Sequence, residues 1–458
     1  MKDYRSYSLW LDSLGEELTP RPALEGDIDV DIAIVGAGYT GLWTAYYLAE
    51  ADPSLRIAII EKEIAGFGAS GRNGGWCSAL FAAKRKKIAK KSGREAAIAM
   101  QRAMFDTVDE VGRVVRSESI DAHYRKGGTL VAATTPAQLD RVKESVAEEL
   151  SWGFTEDDFR WMDEQEARDA IDVAGCLGAA YTPHCARLQP ARLARGLAAT
   201  VDRQGVKIYE QTEATSIGDR LVETHRGRIR ADVVVRAVEG YTPSLRGSRR
   251  VLLPLYSLMI ATEPLPTDFW DVVGWRGDET FADGRHLIIY AQRTADDRIA
   301  IGGRGAPYHF RSTVKEEFDR EPEVFEELAK VLRTLWPAIG DASITHQWGG
   351  PLGAPRDWYS SVGFDRRSGF AWAGGYVGDG VSTTNLAGRT LRDLILDRDT
   401  DIVRLPWVHH HWRRWEPEPL RWIGTNVALK MMASADHAEV RTGKPARRAD
   451  LVGKLIGI

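Results

Sequence analysis

Between Ile28 and Glu61 the chain passes from a β-branched segment, IDVDIAIV, into GAGYTG, then a helical stretch, LWTAYYLAE, and a second apolar segment, LRIAIIE, that ends on an acid. A buried strand, a tight glycine turn, a helix and a second strand closing on a carboxylate form a mononucleotide-type βαβ unit. Gly36 makes the turn, Gly38 lets backbone approach a pyrophosphate, and Gly41 lets the helix pack against the strand. Tyr39 and Thr40, inside the turn, are candidate cofactor contacts, and the helix that follows has free N–H groups whose partial positive charge suits phosphate. Glu61, 20 positions after Gly41, can accept hydrogen bonds from an adenosine ribose, and its charge repels a 2′-phosphate. With 44 glycines in 458 residues, roughly 0.4 chance GxGxxG matches are expected, so the flanking strands and the acid carry the reading. The site is one for an adenine dinucleotide, and the motif alone does not say which.

Composition narrows the class. The chain is 43% hydrophobic and 28% charged, as expected of a folded protein, and its length suits two or three domains of roughly 100–200 residues. Lys plus Arg number 61 against 65 for Asp plus Glu, a net charge of -4, which argues against a nucleic-acid partner. Cys77, Cys176 and Cys185 are too few and too scattered for a disulfide framework or a zinc site, so a cytoplasmic setting is expected. MKDYRSYSLWLDSLGEELTP has no apolar run of signal-peptide length. Ile32 to Ala49 is uncharged for about the length of a membrane span, but the glycine motif explains it and no membrane insertion is expected.

After the acid comes EKEIAGFGASGRNGGWCS, with Lys62 next to Glu61 and Gly66, Gly68, Gly71, Gly74 and Gly75 close together among Ala69, Ser70, Arg72 and Asn73. Such a loop can bring backbone N–H groups and small side chains against an extended second part of a cofactor. With this loop, the sequence resembles the amine-oxidising flavoprotein family that includes D-amino acid oxidase, glycine oxidase and sarcosine oxidase. Within it the likeness is to the γ-glutamylputrescine oxidase type, over roughly residues 8–396. The resemblance implies FAD as cofactor, running from the GxGxxG turn through this loop to a glycine-rich segment near the C-terminus. It implies backbone near Ala214 against the adenine and a second cofactor-proximal loop at Gly240. That loop reads AVEG where the family usually has a sequence closer to ATNG, and Glu239 is read as a solvated loop residue.

The C-terminal match is GFAWAGGYVGDGVSTTNLAGRTLRDLIL. It reads as a strand, a turn crowded by Gly374, Gly375, Gly378 and Gly380, then Val381 and a helix from about Thr383 to Leu396. Ser382, Thr383 or Thr384 can cap that helix. Its N-terminus suits the negative charge that reduction places on the flavin N1–C2=O edge. No proline follows Gly378-Asp379 before the helix and no second GxGxxG is apparent, which disfavours an NAD(P)H-driven monooxygenase.

The expected fold is α/β plus α+β: a Rossmann-like FAD-binding domain over residues 1–81, 154–245 and 337–400, with an inserted antiparallel-sheet substrate domain over 82–153 and 246–336. Residues 401–458 are expected as a C-terminal arm packed on the FAD domain. The basic run Lys84 to Lys91 reads as a solvated helix face or as an acceptor-docking patch. The implied activity is oxidation of a primary or secondary amine (an amino acid, a polyamine derivative or similar) to an imine by hydride transfer to flavin N5, with oxygen or another acceptor taking the electrons. Such chemistry asks the protein for orientation and desolvation more than for an acid–base triad. By the family's layout, Tyr256 and Tyr290 lie on strands able to face the flavin, and Trp348 precedes the last cofactor strand; aromatic faces suit an amine or its cation. Each also reads as a packing aromatic. Arg304 can bind a substrate carboxylate or form a structural ion pair. Cys77, two residues past GRNGG, reads as a buried thiol rather than a flavin link, so FAD is expected to be non-covalent. His409, His410 and His411 are consecutive, poor geometry for a metal, and no metal site is expected. The alternatives are a flavin-binding protein with a non-catalytic or electron-transfer role, an FAD monooxygenase and an NAD-linked dehydrogenase. Nothing in the sequence specifies an oligomeric state.

Overall fold

In the structure, a computed structural model that describes residues 2–456, the β-branched segment forms the strand Ile28–Val35, buried over its last four residues. It lies between two parallel neighbours, Ile57–Ile60 and Gly227–Arg236. Lys207–Tyr209 extends the sheet on one side and Phe370–Gly374 on the other, with Ser361–Asp365 as an antiparallel edge. A parallel sheet needs crossover helices to cover it. Tyr39–Ala51, Arg94–Ser117, Pro190–Arg203 and Gly380–Ile395 share one core on one face. The opposite face buries Ala33, Val35 and Val234 beside the short strands Ala214–Gly218 and Leu221–Thr224. Two of the helices cross closely because Gly388 lacks a side chain: a Cβ there would lie 2.7 Å from the Trp43 backbone.

The helix Arg94–Ser117 buries Met104, Val108, Val111 and Val115, spaced as one helical stripe, in this first core. The expected boundaries assign these residues to the substrate domain, but their packing is with the first sheet.

The second sheet runs in the order Ile344–Ala354, Leu253–Thr262, Ile299–Arg304, Ile289–Arg293, Thr280–Asp283, Thr129–Ala132, Ala179–Thr182 and Arg160–Met162. All neighbours are antiparallel except Thr280–Asp283 with Thr129–Ala132. Its outer face packs Trp270, Trp275, Phe281 and Trp336 with the helix Pro322–Leu335. Three of its strands, at 160–162, 179–182 and 344–354, fall in ranges expected of the FAD domain. Short strands carry no local mark of which sheet they join; long-range pairing decides it.

The C-terminal arm divides. Residues through Trp412 pack largely against the first sheet and its helices: Trp407 is fully buried in that core, and His409 N donates to the Val362 carbonyl at 2.7 Å. Trp415 already packs against Leu253, Leu255 and Ala354 of the second sheet. The helix Leu420–Thr442 instead leans on the second lobe, with Glu439 paired to Arg141 at 2.6 Å and the Asp436 carboxylate accepting from His286 N at 2.7 Å. The basic run forms the helix Arg85–Ser92 and is tied down by partners that include Glu148, 2.8 Å from Lys86, and Glu149, paired with Arg85. No helix among the described residues is long and apolar enough to cross a membrane.

Candidate functional site

At the end of the first strand, Gly36 takes a φ of 108°, and a Cβ on it would meet the Ala237 carbonyl oxygen at 2.6 Å. A Cβ on Gly41 would fall 2.0 Å from the Gly36 carbonyl oxygen, so the turn closes on bare backbone. The helix begins at Tyr39 with Gly38 as its N-cap and no side-chain cap. Tyr39 N donates to Ser70 Oγ at 2.8 Å, which docks the second glycine loop on the helix N-terminus, with Thr40 and Gly41 in the same first turn. Glu61 follows the second strand, and its carboxylate accepts from Ala37 N at 2.9 Å and Glu63 N at 3.0 Å. Burial pushes that carboxyl up to about 7, against the downward pull of the two N–H groups. Lys62 points outward to Glu213, 3.0 Å away. Ala214, at the start of its strand, is half-buried beyond it.

The 66–75 loop is stitched by Asn73, whose Nδ2 donates to the Ala69 and Ser70 carbonyls at 3.0 Å and whose Oδ1 accepts from Gly75 N at 2.8 Å. Gly68 faces the Tyr241 ring, 3.5 Å from where its Cβ would be. Arg72 is buried and crosses to the second lobe. One Nη donates to Asp319 at 2.6 Å and the Gly349 carbonyl at 2.9 Å, and the other to the Tyr241 hydroxyl at 2.7 Å. Trp348 Nε1 donates to the Arg72 carbonyl at 2.9 Å, Trp10 Nε1 to the Asn73 carbonyl at 2.8 Å, and Gln292 Nε2 to the Gly74 carbonyl at 2.7 Å.

Register explains which second-sheet residues face this loop. Trp348 pairs with Met259, Met259 with Gly302, and Gly302 with Tyr290, and directly opposed residues share a face. The Tyr290 ring lies between two glycines: a Cβ on Gly74 would be 2.6 Å from it and one on Gly302 2.5 Å. Its hydroxyl meets Ser257 Oγ at 2.8 Å. Tyr256 is one position out of phase with Ser257 and Met259. It therefore lies on the other face with Leu258 and Ile260, its ring against His309 and Phe318. The structure brings Tyr290 and Trp348 to the loop and does not bring Tyr256 there. Arg304 pairs with Ser257 through its backbone; its side chain lies outside the described residues.

The last helix begins at Gly380, earlier than the expected Thr383, and has no side-chain cap. The hydroxyls turn elsewhere: Ser382 Oγ donates to the Ser78 carbonyl, Thr383 Oγ1 to the Asp379 carbonyl at 2.5 Å and Thr384 Oγ1 to the Val381 carbonyl at 3.1 Å. Gly375 and Gly378 supply left-handed backbone in the turn, with φ of 73° and 106°. Gly240 lets its own loop approach the Pro351 carbonyl, 2.7 Å from where a Cβ would stand. Glu239 is not a solvated residue. Its carboxylate accepts from Tyr376 N at 2.9 Å, and burial pushes it up to about 7. Tyr376 also bonds Thr40 Oγ1 through its hydroxyl at 3.0 Å, joining the first and last glycine segments directly.

Four segments, 36–41, 66–75, 237–241 and 374–380, thus meet around two helix N-termini without side-chain caps. The arrangement fits FAD. The first N-terminus and its glycines would hold a pyrophosphate, and Glu61, raised by burial, is an acceptor that ribose hydroxyls would satisfy. The last N-terminus is placed to offset negative charge. Cys77 is fully buried, and burial pushes its thiol well up. His409, His410 and His411 face different partners, the Phe364 backbone, Asp357 and Trp372. Trp10, Tyr241, Gln292, Asp319 and Tyr376 were not foreseen as parts of this site.

Residues 31–394 match the family model described as FAD dependent oxidoreductase, DAO. The chain is 26% identical over 411 residues to a probable oxidoreductase OrdL of Rhizobium meliloti, covering 86% of this chain and 89% of that one. It is 28% identical over 386 residues to the γ-glutamylputrescine oxidoreductase of Escherichia coli, covering 82% and 86%. Its fold is similar to that of glycine oxidase from Geobacillus kaustophilus, with a TM-score of 0.69, 21% identity and coverage of 83% and 99%. All four glycine segments lie within the matched residues, which are most of the chain: the chain belongs to the DAO family of FAD-dependent oxidoreductases.

Proposed function

We propose that the protein oxidises a primary or secondary amine, such as an amino acid or polyamine derivative, to an imine. The substrate C–N unit loses two electrons and two protons, and oxygen or another acceptor finally takes the electrons. FAD, held non-covalently, supplies the two-electron acceptor. The observation that carries the reading is the row Trp348, Met259, Gly302 and Tyr290, which sets aromatic side chains against the 66–75 loop. An amine recognised by aromatic faces and positioned there needs no acid–base triad. The similarity to a γ-glutamylputrescine oxidoreductase supports the amine class. Tyr290 and Trp348 are the proposed walls of the pocket, and Arg304 on the neighbouring strand is the proposed partner of a substrate carboxylate. A cytoplasmic setting suits three buried thiols, all free. Anaerobic mixing of the yellow holoprotein with polyamine derivatives, N-methyl amino acids and D-amino acids tests the proposal. Flavin absorbance should bleach with at least one amine and return on aeration; a flavin left oxidised by the whole panel would sink it.

A further inference from the structure

A cavity of about 530 Å³ opens where residues 243–251, residues 311–314 and Arg414 of the C-terminal arm meet. Its lining includes Arg246, Arg249, Arg250, Arg311 and Arg414, and neither aspartate nor glutamate. The carboxylates of the adjoining segment, Glu416 and Glu418, have their closest ion-pair partners outside this lining. Glu416 pairs with Arg356 at 2.8 Å. Glu418 pairs with Arg421 at 2.8 Å and accepts from the Tyr308 hydroxyl at 2.8 Å and Arg311 N at 3.0 Å. Arg250 uses Nε on the Trp415 carbonyl at 2.6 Å.

Other groups fix the wall. Ser312 N donates to the Tyr308 hydroxyl at 2.9 Å, while Ser312 Oγ and an Arg421 Nη both donate to the Arg249 carbonyl, at 3.2 and 3.0 Å. Arg311 and Ser312 hold left-handed backbone, with φ of 62° and 53°, a conformation that costs energy for residues bearing a Cβ. The backbone that carries these arginines is therefore fixed by a built wall, while their side chains are exposed and Glu416, held by Arg356, also feels Arg250. Like charges held this way favour the arrival of a counter-charge.

We infer that this cavity binds a small polyanion, a molecule carrying two or more carboxylate or phosphate groups. Guanidinium pairs with both groups through two parallel hydrogen bonds, and the volume falls in the range of small-molecule sites. A concave site on a chain of net charge -4 suits a small ligand better than a nucleic-acid duplex or a lipid surface, which reward extended basic faces. The inference stands apart from the amine-oxidising reading.

Isothermal titration of the FAD-loaded protein, in which the dinucleotide cradle is filled, tests it with inorganic pyrophosphate and with citrate at fixed ionic strength. Saturable binding to one site is expected with at least one probe. It should weaken about tenfold or more in Arg246→Gln/Arg249→Gln, with melting temperature and flavin content retained. Arg414→Gln alone, on a separate segment, should weaken it in the same direction, and Arg102→Gln elsewhere on the surface should not. Absence of saturable binding with both probes, or equal affinity in the cavity variants and the parent, overturns the inference.

Discussion

The same substitution, glycine to alanine, should have opposite consequences at two positions. At Gly41 an added Cβ would lie 2.0 Å from the Gly36 carbonyl oxygen and 3.1 Å from Ile34 Cγ2. Both Gly36 and the helix backbone are fixed by the turn, so no flexible side chain can yield. Normal contact needs more than an ångström of extra separation, which must come from lifting the helix off the strand. Overpacking of this kind costs typically 1–3 kcal/mol, and two rigid backbones put it near the upper end. Because the displaced helix N-terminus is part of the cradle, about 3 kcal/mol should appear as an FAD affinity roughly 100-fold weaker. Gly424 lies inside the helix Leu420–Thr442 with no atom within 4 Å of its Cβ position. There alanine should stabilise by about 0.5–1 kcal/mol through helix propensity alone. Quenching of flavin fluorescence on titration into deflavinated protein measures the first effect, and thermal unfolding followed by circular dichroism measures the second. If Gly41→Ala bound FAD like the parent, the cradle described above would be wrong.

Four further outcomes are expected. FAD affinity should tighten by roughly 20-fold from pH 5.5 to 7.5 if ribose contacts return Glu61 from about 7 toward its usual 4.5, and Glu61→Gln should flatten that rise in the titration. In the cofactor-free fold the sign is opposite: the Glu61 contribution is full below about 4.5 and is lost as pH rises through about 7. Burial would raise Glu439, but hydrogen bonds from Arg141, Ala446 N and His286 hold it at about 2. Its contribution is thus present above 4.5 and lost toward pH 2, and Glu439→Gln should cost about 1–2 kcal/mol after allowing for the partly exposed Arg141, read as a lower melting temperature at pH 7. Tyr290→Phe keeps the ring between the two glycines and should retain FAD, losing about 1 kcal/mol with the Ser257 bond, whereas Gly302→Ala displaces the ring and should weaken FAD binding more. The denatured protein should show the polypeptide mass alone, since a flavin adduct would place a bond on Cys77 or another side chain.

Local chemistry is enough to read the first βαβ unit: the strand Ile28–Val35 and the acid at Glu61 lie where β-branched composition and spacing put them. Long-range pairing was not legible. The strands Arg160–Met162 and Ala179–Thr182 pair with each other and reach the second sheet through Thr129–Ala132, which itself pairs with Thr280–Asp283, while the helix Arg94–Ser117 joins the first core through apolar partners far along the chain. The one-position phase difference between Tyr256 and Ser257 was present in the sequence, but without the register of the neighbouring strands it did not say which side met the cofactor loops. Glu239 escapes a reading from local sequence for a related reason. A carboxylate in a short loop is usually solvated, and only the return of the 374–380 turn, some 135 residues later, buries it against Tyr376 N.

Arg72 shows why the cofactor loop and the docking of the two sheets form one problem. Its guanidinium is 1% exposed and sits 2.6 Å from Asp319, so each charge relies on the other for the solvation both have lost. Burial pushes the Asp319 carboxyl up while Arg72 pulls it down. A buried pair of this kind contributes little net stability, yet removing one partner leaves an uncompensated charge at a cost of about 3–5 kcal/mol. Its value is therefore geometric. The planar fork reaches Asp319, the Gly349 carbonyl and the Tyr241 hydroxyl together, which a lysine cannot do. The loop that must stay still against a cofactor is thus held from the second lobe. Any movement that separates the lobes must unmake the same bonds that shape the cradle.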